Sequence, residues 1–502
     1  MSATNEPAHL TSHIADFVVN TKLADIPGTT VSLAERSIFD GIGLAVAGSR
    51  SPVARIVAEQ VRSLGVLADE AHVLGTGMAT ASRFAALLNG IAIHADDYDD
   101  TQLASRSDRV YGLLTHPTAP VLPVVLALGE QFESRWDLAL EAYILGVEVE
   151  TTLCEASNPA HYLRGFHSTA TFGTLGAAAA AAKLYHLTLD ETVRCIGIAV
   201  SLAAGVRQNF GTMMKPFHAG RAAENGIVAA DLAKRGITAT PAGLEGPSGY
   251  YQAAAGDFDA TAVVELGNPW TLERPGVSIK PFPSGSLSHP TMMTVKRLVS
   301  QHNIHPDDVR QIDVVTASHM ASALIYHEPR TVLEAKFSME FCAAVMALGM
   351  SGGLETFTDT VVFAPEVRDM MRRVSFSTSD AVQAAGADRM HSLVRIALKS
   401  GDVVEDSSDF AYGSPELPMS EDDLAQKFAG CLKAAGIESH VAATLAGHVR
   451  YVDASSPVAE IVRHVTDVVG ARVDAPGDGH RGDGSNSDAR TEFGARQGRA
   501  SR

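Results

Sequence analysis

Four carboxylates crowd into five positions in His94-Ala95-Asp96-Asp97-Tyr98-Asp99-Asp100-Thr101. Such neighbours repel one another in water, a local cost with no evident structural return. If the segment closes a helix, His94, Asp97 and Thr101 stand at i, i+3 and i+7 and share a face. A histidine or carboxylate there can move protons, and Thr101 can hold a substrate oxygen. An acidic, solvated helix end explains the same residues. A divalent-metal site is a third reading, although HxxD lacks a recognised ligand spacing such as HExxH. Thr115-His116-Pro117-Thr118 precedes an apolar run, and Pro117 suits the first turn of a helix, which sets His116 at its entrance. Phe166-His167-Ser168-Thr169 repeats the arrangement. A histidine at a helix mouth is an acid or base near neutral pH, or simply a capping residue.

Cations follow in Asn209-Phe210-Gly211-Thr212-Met213-Met214-Lys215-Pro216-Phe217-His218-Ala219-Gly220-Arg221. Pro216 is expected to open a helix, leaving Lys215 at its mouth beside unpaired backbone N–H groups, a ready anion site. His218, Arg221 and Asn225 then line one face, as they also do in an ordinary amphipathic helix with a polar stripe. Lys280-Pro281-Phe282-Pro283-Ser284-Gly285-Ser286-Leu287-Ser288-His289-Pro290 is a Pro/Gly-broken loop, from which Lys280 and His289 can reach over a site as part of a lid. There is no GxxxxGK[ST] or GxSxG, and the one GxGxxG (477–482) lies in the polar tail behind no strand pattern, so dinucleotide, P-loop and hydrolase-elbow readings lack support. The remaining inventory suits proton transfer next to a carboxylate. A base takes the α-proton, and cations or dipoles hold the enediolate-like charge.

The elements that must position these residues show in composition and period. The chain has 502 residues, 46% hydrophobic and 20% charged, enough to bury several cores. Its 40 Lys+Arg stand against 58 Asp+Glu, a net charge of -18, and no basic run points to a nucleic-acid partner. Cys154, Cys195, Cys342 and Cys431 form no CxxC pair and resemble no zinc or disulfide framework. The first residues lack the basic and apolar regions of a signal peptide, and no uncharged apolar run reaches the ~20 residues of a membrane helix. A cytoplasmic protein with no membrane partner is expected. Helical spacing runs from His9 to about Ala255 and includes six consecutive alanines from Ala177. Strand patterns follow at Val309–Thr316, Ser392–Leu398 and Val403–Glu405, the last two joined by a hairpin-type turn. Ser420-Glu421-Asp422-Asp423 opens a helix again. The expectation is a mostly α fold: a large all-helical domain (8–270 and 412–472), an inserted smaller α/β lid domain (271–411), and a disordered tail (473–502).

At these five segments the sequence resembles the MmgE/PrpD family, which includes 2-methylcitrate dehydratases, cis-aconitate decarboxylases and iminodisuccinate epimerases. The likeness covers roughly residues 8 to 470 and rests on HADDYDDT (94–101), HPTAPVLP (116–123), FHSTATFGTLGAAAAA (166–181), NFGTMMKPFHAGRAAENG (209–226) and KPFPSGSLSHP (280–290). The resemblance implies a helical domain with an α/β lid, a homodimer, and no metal or organic cofactor. It sets Asp97, Thr101, His116, His167, Lys215 and Lys280 where the family has its active-site residues. One departure stands out: cis-aconitate decarboxylases typically carry a further histidine in the KPFPSG loop, where this chain has Gly285. The expected enzyme is a cofactor-independent lyase acting on a small di- or tricarboxylate. Lys215 and Lys280 hold carboxylates, His116 and His167 exchange protons, Asp97 and Thr101 orient, and His289, His218 and Arg221 assist binding. Dehydration of a 2-methylcitrate-like hydroxy acid is the first choice. Epimerisation of an iminodisuccinate-like compound, cis-aconitate-type decarboxylation and non-catalytic carboxylate binding are the alternatives.

Overall fold

The computed structural model describes residues 9–66, 68–102, 115–321, 323–384 and 389–470; the tail expected to be disordered, 473–502, lies outside them. Helices dominate the first half: α1 (Gly28–Gly48), α2 (Ser82–His94), α3 (Thr118–Gln131), α4 (Trp136–Ala156), α5 (Ser168–Leu184) and α6 (Met214–Lys234). α5 is buried along its whole length, as a helix with no polar face must be. Its alanine tract is what lets neighbours come close. A Cβ added to Gly226 of α6 would lie 2.5 Å from the Ala177 carbonyl carbon.

The crossing of α2 and α6 brings two backbones into contact close to the acidic segment. A Cβ on Gly220 would lie 2.2 Å from the Leu87 carbonyl oxygen, and one on Gly90 would lie 2.7 Å from the Gly220 Cα. Two glycines therefore permit backbone-to-backbone contact. His94 ends α2 one turn beyond Gly90, and Met214 begins α6 shortly before Gly220. The crossing thus lays the C-terminal mouth of α2 on the N-terminal mouth of α6. A two-residue strand, β1 (Thr101–Gln102), leaves the α2 mouth and pairs antiparallel with β2 (Val277–Ser278).

A second apolar core, built from residues between Phe282 and Ala411, belongs to an α/β unit. Its helices include α7 (His289–Gln301), α8 (Val332–Ala335), α9 (Met339–Ala347) and α10 (Pro365–Met371). The sheet holds β3 (Val309–Thr316), β4 (Val374–Thr378), β5 (Ser392–Leu398) and β6 (Val403–Ser408) in the order β4-β3-β5-β6. β3 and β5 have the bounds expected from their alternation, and Val309, Ile312, Val314, Val394 and Ile396 face the core. β6 runs three residues beyond the expected Glu405. β4 was not anticipated. It is an edge strand in which Val374 and Phe376 alternate with serines, a pattern only two apolar residues long; Val374 is buried and Phe376 partly so. It pairs parallel with β3, Val314 opposite Phe376.

α11 (Glu421–Ala434) rejoins the first core, with Phe428 stacked on Phe39 of α1 at 4.4 Å between centroids. Ser420 caps it by accepting from the Asp423 N–H. All four cysteines are buried and none is in a disulfide. Among the described residues, no helix is long and apolar enough to cross a membrane.

Candidate active site at the junction of the two units

The acidic segment is a turn, not a helix face. α2 stops at His94, and Asp97 takes a left-handed conformation with φ 52°, its N–H donating to the His94 carbonyl at 3.3 Å. A residue with a Cβ adopts that conformation at a cost of about 1–2 kcal/mol. Asp97 and Thr101 therefore do not share a helical face with His94; Thr101 lies in β1, buried, its hydroxyl 3.5 Å from the Thr115 carbonyl.

Three lysines brace this turn, one on each successive carbonyl. Lys336 Nζ donates to Asp96 O at 2.6 Å, Lys280 Nζ to Asp97 O at 2.9 Å, and Lys427 Nζ to Tyr98 O at 2.8 Å. Ammonium groups suit the negative end of the α2 dipole. Each also meets a carboxylate: Lys336 the Asp96 Oδ1 at 3.0 Å, Lys280 the Asp97 Oδ1 at 3.2 Å, Lys427 the Asp40 Oδ2 at 2.8 Å. Lys215, from the first turn of α6, donates to the same Asp97 Oδ1. Burial would raise the Asp97 pKa, but Lys215 and Lys280 outweigh it and hold the carboxyl well below its usual range. Burial pushes Lys280 down. Lys215 Nζ also lies 5.6 Å from the ring centroids of both Phe210 and Phe337.

Imidazoles line the other side. His94 Nδ1 lies 2.8 Å from Asp99 Oδ2, and its Nε2 is buried without a partner. His116 Nδ1 sits 2.8 Å from the Asp100 carbonyl and 3.5 Å from Asp99 Oδ2. A carbonyl can only accept, so the bonding assigns the proton to Nδ1 and leaves the His116 Nε2 lone pair free. The His116 N–H is anchored on the Thr169 hydroxyl at 3.1 Å, which ties the α3 mouth to α5. His167, the N-cap residue of α5, shares a hydrogen bond with His218 of α6, Nδ1 to Nδ1 at 3.1 Å. The His94 ring lies 4.6 Å from that of His116 and 6.0 Å from that of His167.

Burial lowers the pKa of all four histidines, most of all His116 and His167. Asp99 pulls His116 partly back, while Lys215 presses both His116 and His167 further down. They are neutral bases at pH 7. Asp100 goes the other way: burial pushes it up to about 7, although the Thr118 hydroxyl and N–H both donate to it.

The structure thus brings Asp97, His116, His167, His218, Lys215 and Lys280 together, with Thr101 beside them. Three expectations change. Arg221 is half exposed and pairs with Glu224, which also takes Arg83, so its guanidinium faces away from the turn. The expected free N–H groups at the Lys215 mouth are used: Lys215 N donates to Thr212 O, and Met214 N to the Thr212 hydroxyl. The lysine side chain, not the helix mouth, supplies the positive charge. His289 begins α7 but turns onto its own loop, Nε2 3.2 Å from the Ser284 carbonyl and hydroxyl, and burial pushes it down to about 3. Sequence reasoning missed Lys336 and Lys427. In the sequence Lys336 stands among Ala335, Phe337 and Met339, a cation in a largely apolar run, and that was the available signal; in the structure the whole stretch is buried.

His94, Asp97, Asp99 and His116 each offer one ligand atom, all within 4.8 Å of one another. A divalent ion there must compete with two ammonium groups already on Asp97, so the donor set fits proton and carboxylate chemistry better than metal binding.

Comparison with known proteins covers both units of the chain. Residues 12–262 match the MmgE/PrpD N-terminal domain and residues 282–448 the MmgE/PrpD C-terminal domain. The chain is 27% identical over 432 residues to the cis-aconitate decarboxylase of Homo sapiens, covering 84% of this chain and 87% of that one. It is 27% identical over 435 residues to the Mus musculus cis-aconitate decarboxylase (84% and 86%) and 26% identical over 451 residues to that of Aspergillus terreus (85% and 89%).

Proposed function

This chain belongs to the MmgE/PrpD family and is an enzyme of the lyase type; from that premise we propose that it removes carbon dioxide, without a cofactor, from a small unsaturated tricarboxylate of the cis-aconitate kind. One observation carries the proposal. Two buried ammonium groups, Lys215 and Lys280, meet on a single Asp97 oxygen in front of neutral imidazoles.

Asp97 keeps both cations within reach of an incoming carboxylate and offsets the cost of burying them. A bound trianion beside neutral His116 and His167 raises their pKa, so one of them gains a proton from solvent. The C–C bond to the departing carboxylate then breaks. Its electron pair moves into the unsaturated system and settles as enediolate charge on a neighbouring carboxylate, next to the ammonium groups. The charged imidazole returns its proton to carbon, leaving carbon dioxide and a dicarboxylate.

Dehydration of a 2-methylcitrate-like hydroxy acid is the second reading, and Gly285 favours it. A Cβ there would meet Phe337 at 3.3 Å and Leu324 at 3.5 Å, so apolar side chains stand where decarboxylases are expected to carry a histidine. His289 does not replace it, being bonded to Ser284. Proton NMR in deuterated water, with gas detection, separates the outcomes. Carbon dioxide from cis-aconitate with one deuterium in the product supports decarboxylation. A new vinyl signal from the hydroxy acid without gas means dehydration, and exchange with inversion of a chiral dicarboxylate means epimerisation. Binding without turnover of any of them overturns the enzyme reading of this site.

A further inference from the structure

We propose that Lys336 is a positioning residue, the joint through which docking of the α/β unit sets the shape of the catalytic turn. Lys336 directly follows α8 and works at both ends. Its carbonyl accepts from the N–H of Gly285, in the loop that carries Lys280, at 2.9 Å. Its ammonium holds the carbonyl and carboxylate of Asp96, at 2.6 and 3.0 Å, next to the left-handed Asp97. One residue therefore links the loop bearing Lys280 to the turn bearing Asp97, and its successor Phe337 flanks Lys215.

The energetics favour a coupled arrangement. The Lys336 side chain is 4% exposed, and a buried ammonium without partners is strongly unfavourable. Both its partners belong to the helical unit, so they are available only while the two units are docked. Asp97, in turn, holds an unfavourable backbone conformation that its neighbours must over-determine. Lys280 and Lys427 grip the turn at Asp97 and Tyr98, and among the described residues Lys336 alone grips it at Asp96 with a lysine side chain. Without that grip the Asp97 carboxylate loses its fixed place between Lys215 and Lys280, and turnover falls although no group that touches substrate has changed.

The inference rests on Asp97 belonging to the site, and its first test needs no substrate. In Lys336→Met, amide hydrogen exchange of the full chain is expected to speed up at least about fivefold in 94–102 and 280–290 together, with the rest of the helical unit unchanged. With cis-aconitate as probe, or the hydroxy acid if that proves to be turned over, kcat should fall about tenfold or more while KM stays within about threefold. Lys336→Arg should restore most of the loss, because the charge and reach are kept. If Lys336→Met does not fold, Asp96→Asn addresses the same contact from its partly exposed side and should give a smaller change of the same kind. Unchanged exchange in 94–102, or a kcat loss that only tracks the folded fraction and that Arg does not rescue, overturns the proposal. Faster exchange in a chain inert towards every carboxylate would uphold the coupling and reject the lyase reading instead.

Discussion

Among the helices that begin beside a histidine, α3, α5 and α7 have different fates. In the helical unit, the mouths of α3 and α5 bring His116 and His167 towards the acidic turn, where burial, helped by Lys215, keeps them neutral. In the α/β unit, α7 begins with His289, which is just as buried but spends its Nε2 on the Ser284 backbone and hydroxyl. Proline beside the histidine is common to α3 and α7, so local sequence does not decide the role. What the mouth faces does: two glycines let α2 and α6 close on each other, and that contact sets the acidic turn and Lys215 in front of His116 and His167. The mouth of α7 faces its own loop.

The contrast can be broken at several points. Removing an acid/base imidazole should have the largest effect. His116→Gln and His167→Gln are each expected to lower kcat by about 10²- to 10⁴-fold, as read by steady-state kinetics on the confirmed substrate. Equal losses in His289→Gln would erase the distinction between the mouths. Lys215→Ala comes next, because it removes one charge-assisted contact worth about 1.5–3 kcal/mol, or roughly 10- to 150-fold in kcat/KM. Unchanged turnover there would show that Lys215 serves only to neutralise Asp97.

Asp100 gives a smaller effect, seen in stability. Its folded pKa of about 7 lies above its ordinary value of 3.8, so the folded chain holds a proton that the unfolded chain has lost. Stability from this group is present at low pH and lost as pH rises through about 7. Asp100→Asn should therefore flatten the fall in Tm between pH 5 and pH 8, raising Tm at pH 8 by a few degrees relative to the parent. A parallel fall in both proteins would mean that Asp100 is ionised in the fold. His289→Gln should have the smallest effect, within about tenfold in kcat with no change in the pH profile, since His289 is neutral throughout the assay range.

Much of this arrangement was legible in the sequence because its signals are local. The alternation of Val309–Thr316 needs only period two, and the alanine tract announces close packing whatever its partners are. Each motif by itself left a structural reading open; it was the resemblance to the MmgE/PrpD family that put Asp97, His116, His167, Lys215 and Lys280 into one list. The rest depended on long-range geometry. The turn at Asp97 is left-handed because three lysines from distant segments hold it, and nothing within 94–101 encodes them. Arg221 shares a helix with Lys215 and His218, but periodicity could not show that Glu224 would claim it. The α6 mouth has the sequence of an anion site, yet Thr212 fills it from just outside the helix.

Proton uptake on binding tests the central claim most directly. Isothermal titration with propane-1,2,3-tricarboxylate, a saturated analogue that lacks the double bond, is repeated at pH 7 in buffers of different ionisation enthalpy. Neutral His116 and His167 beside a newly bound trianion should take up close to one proton per site, and Lys215→Ala should weaken binding by about tenfold or more. Tight binding with no proton uptake would mean that the imidazoles do not respond to substrate charge, and the proposed proton delivery would fail.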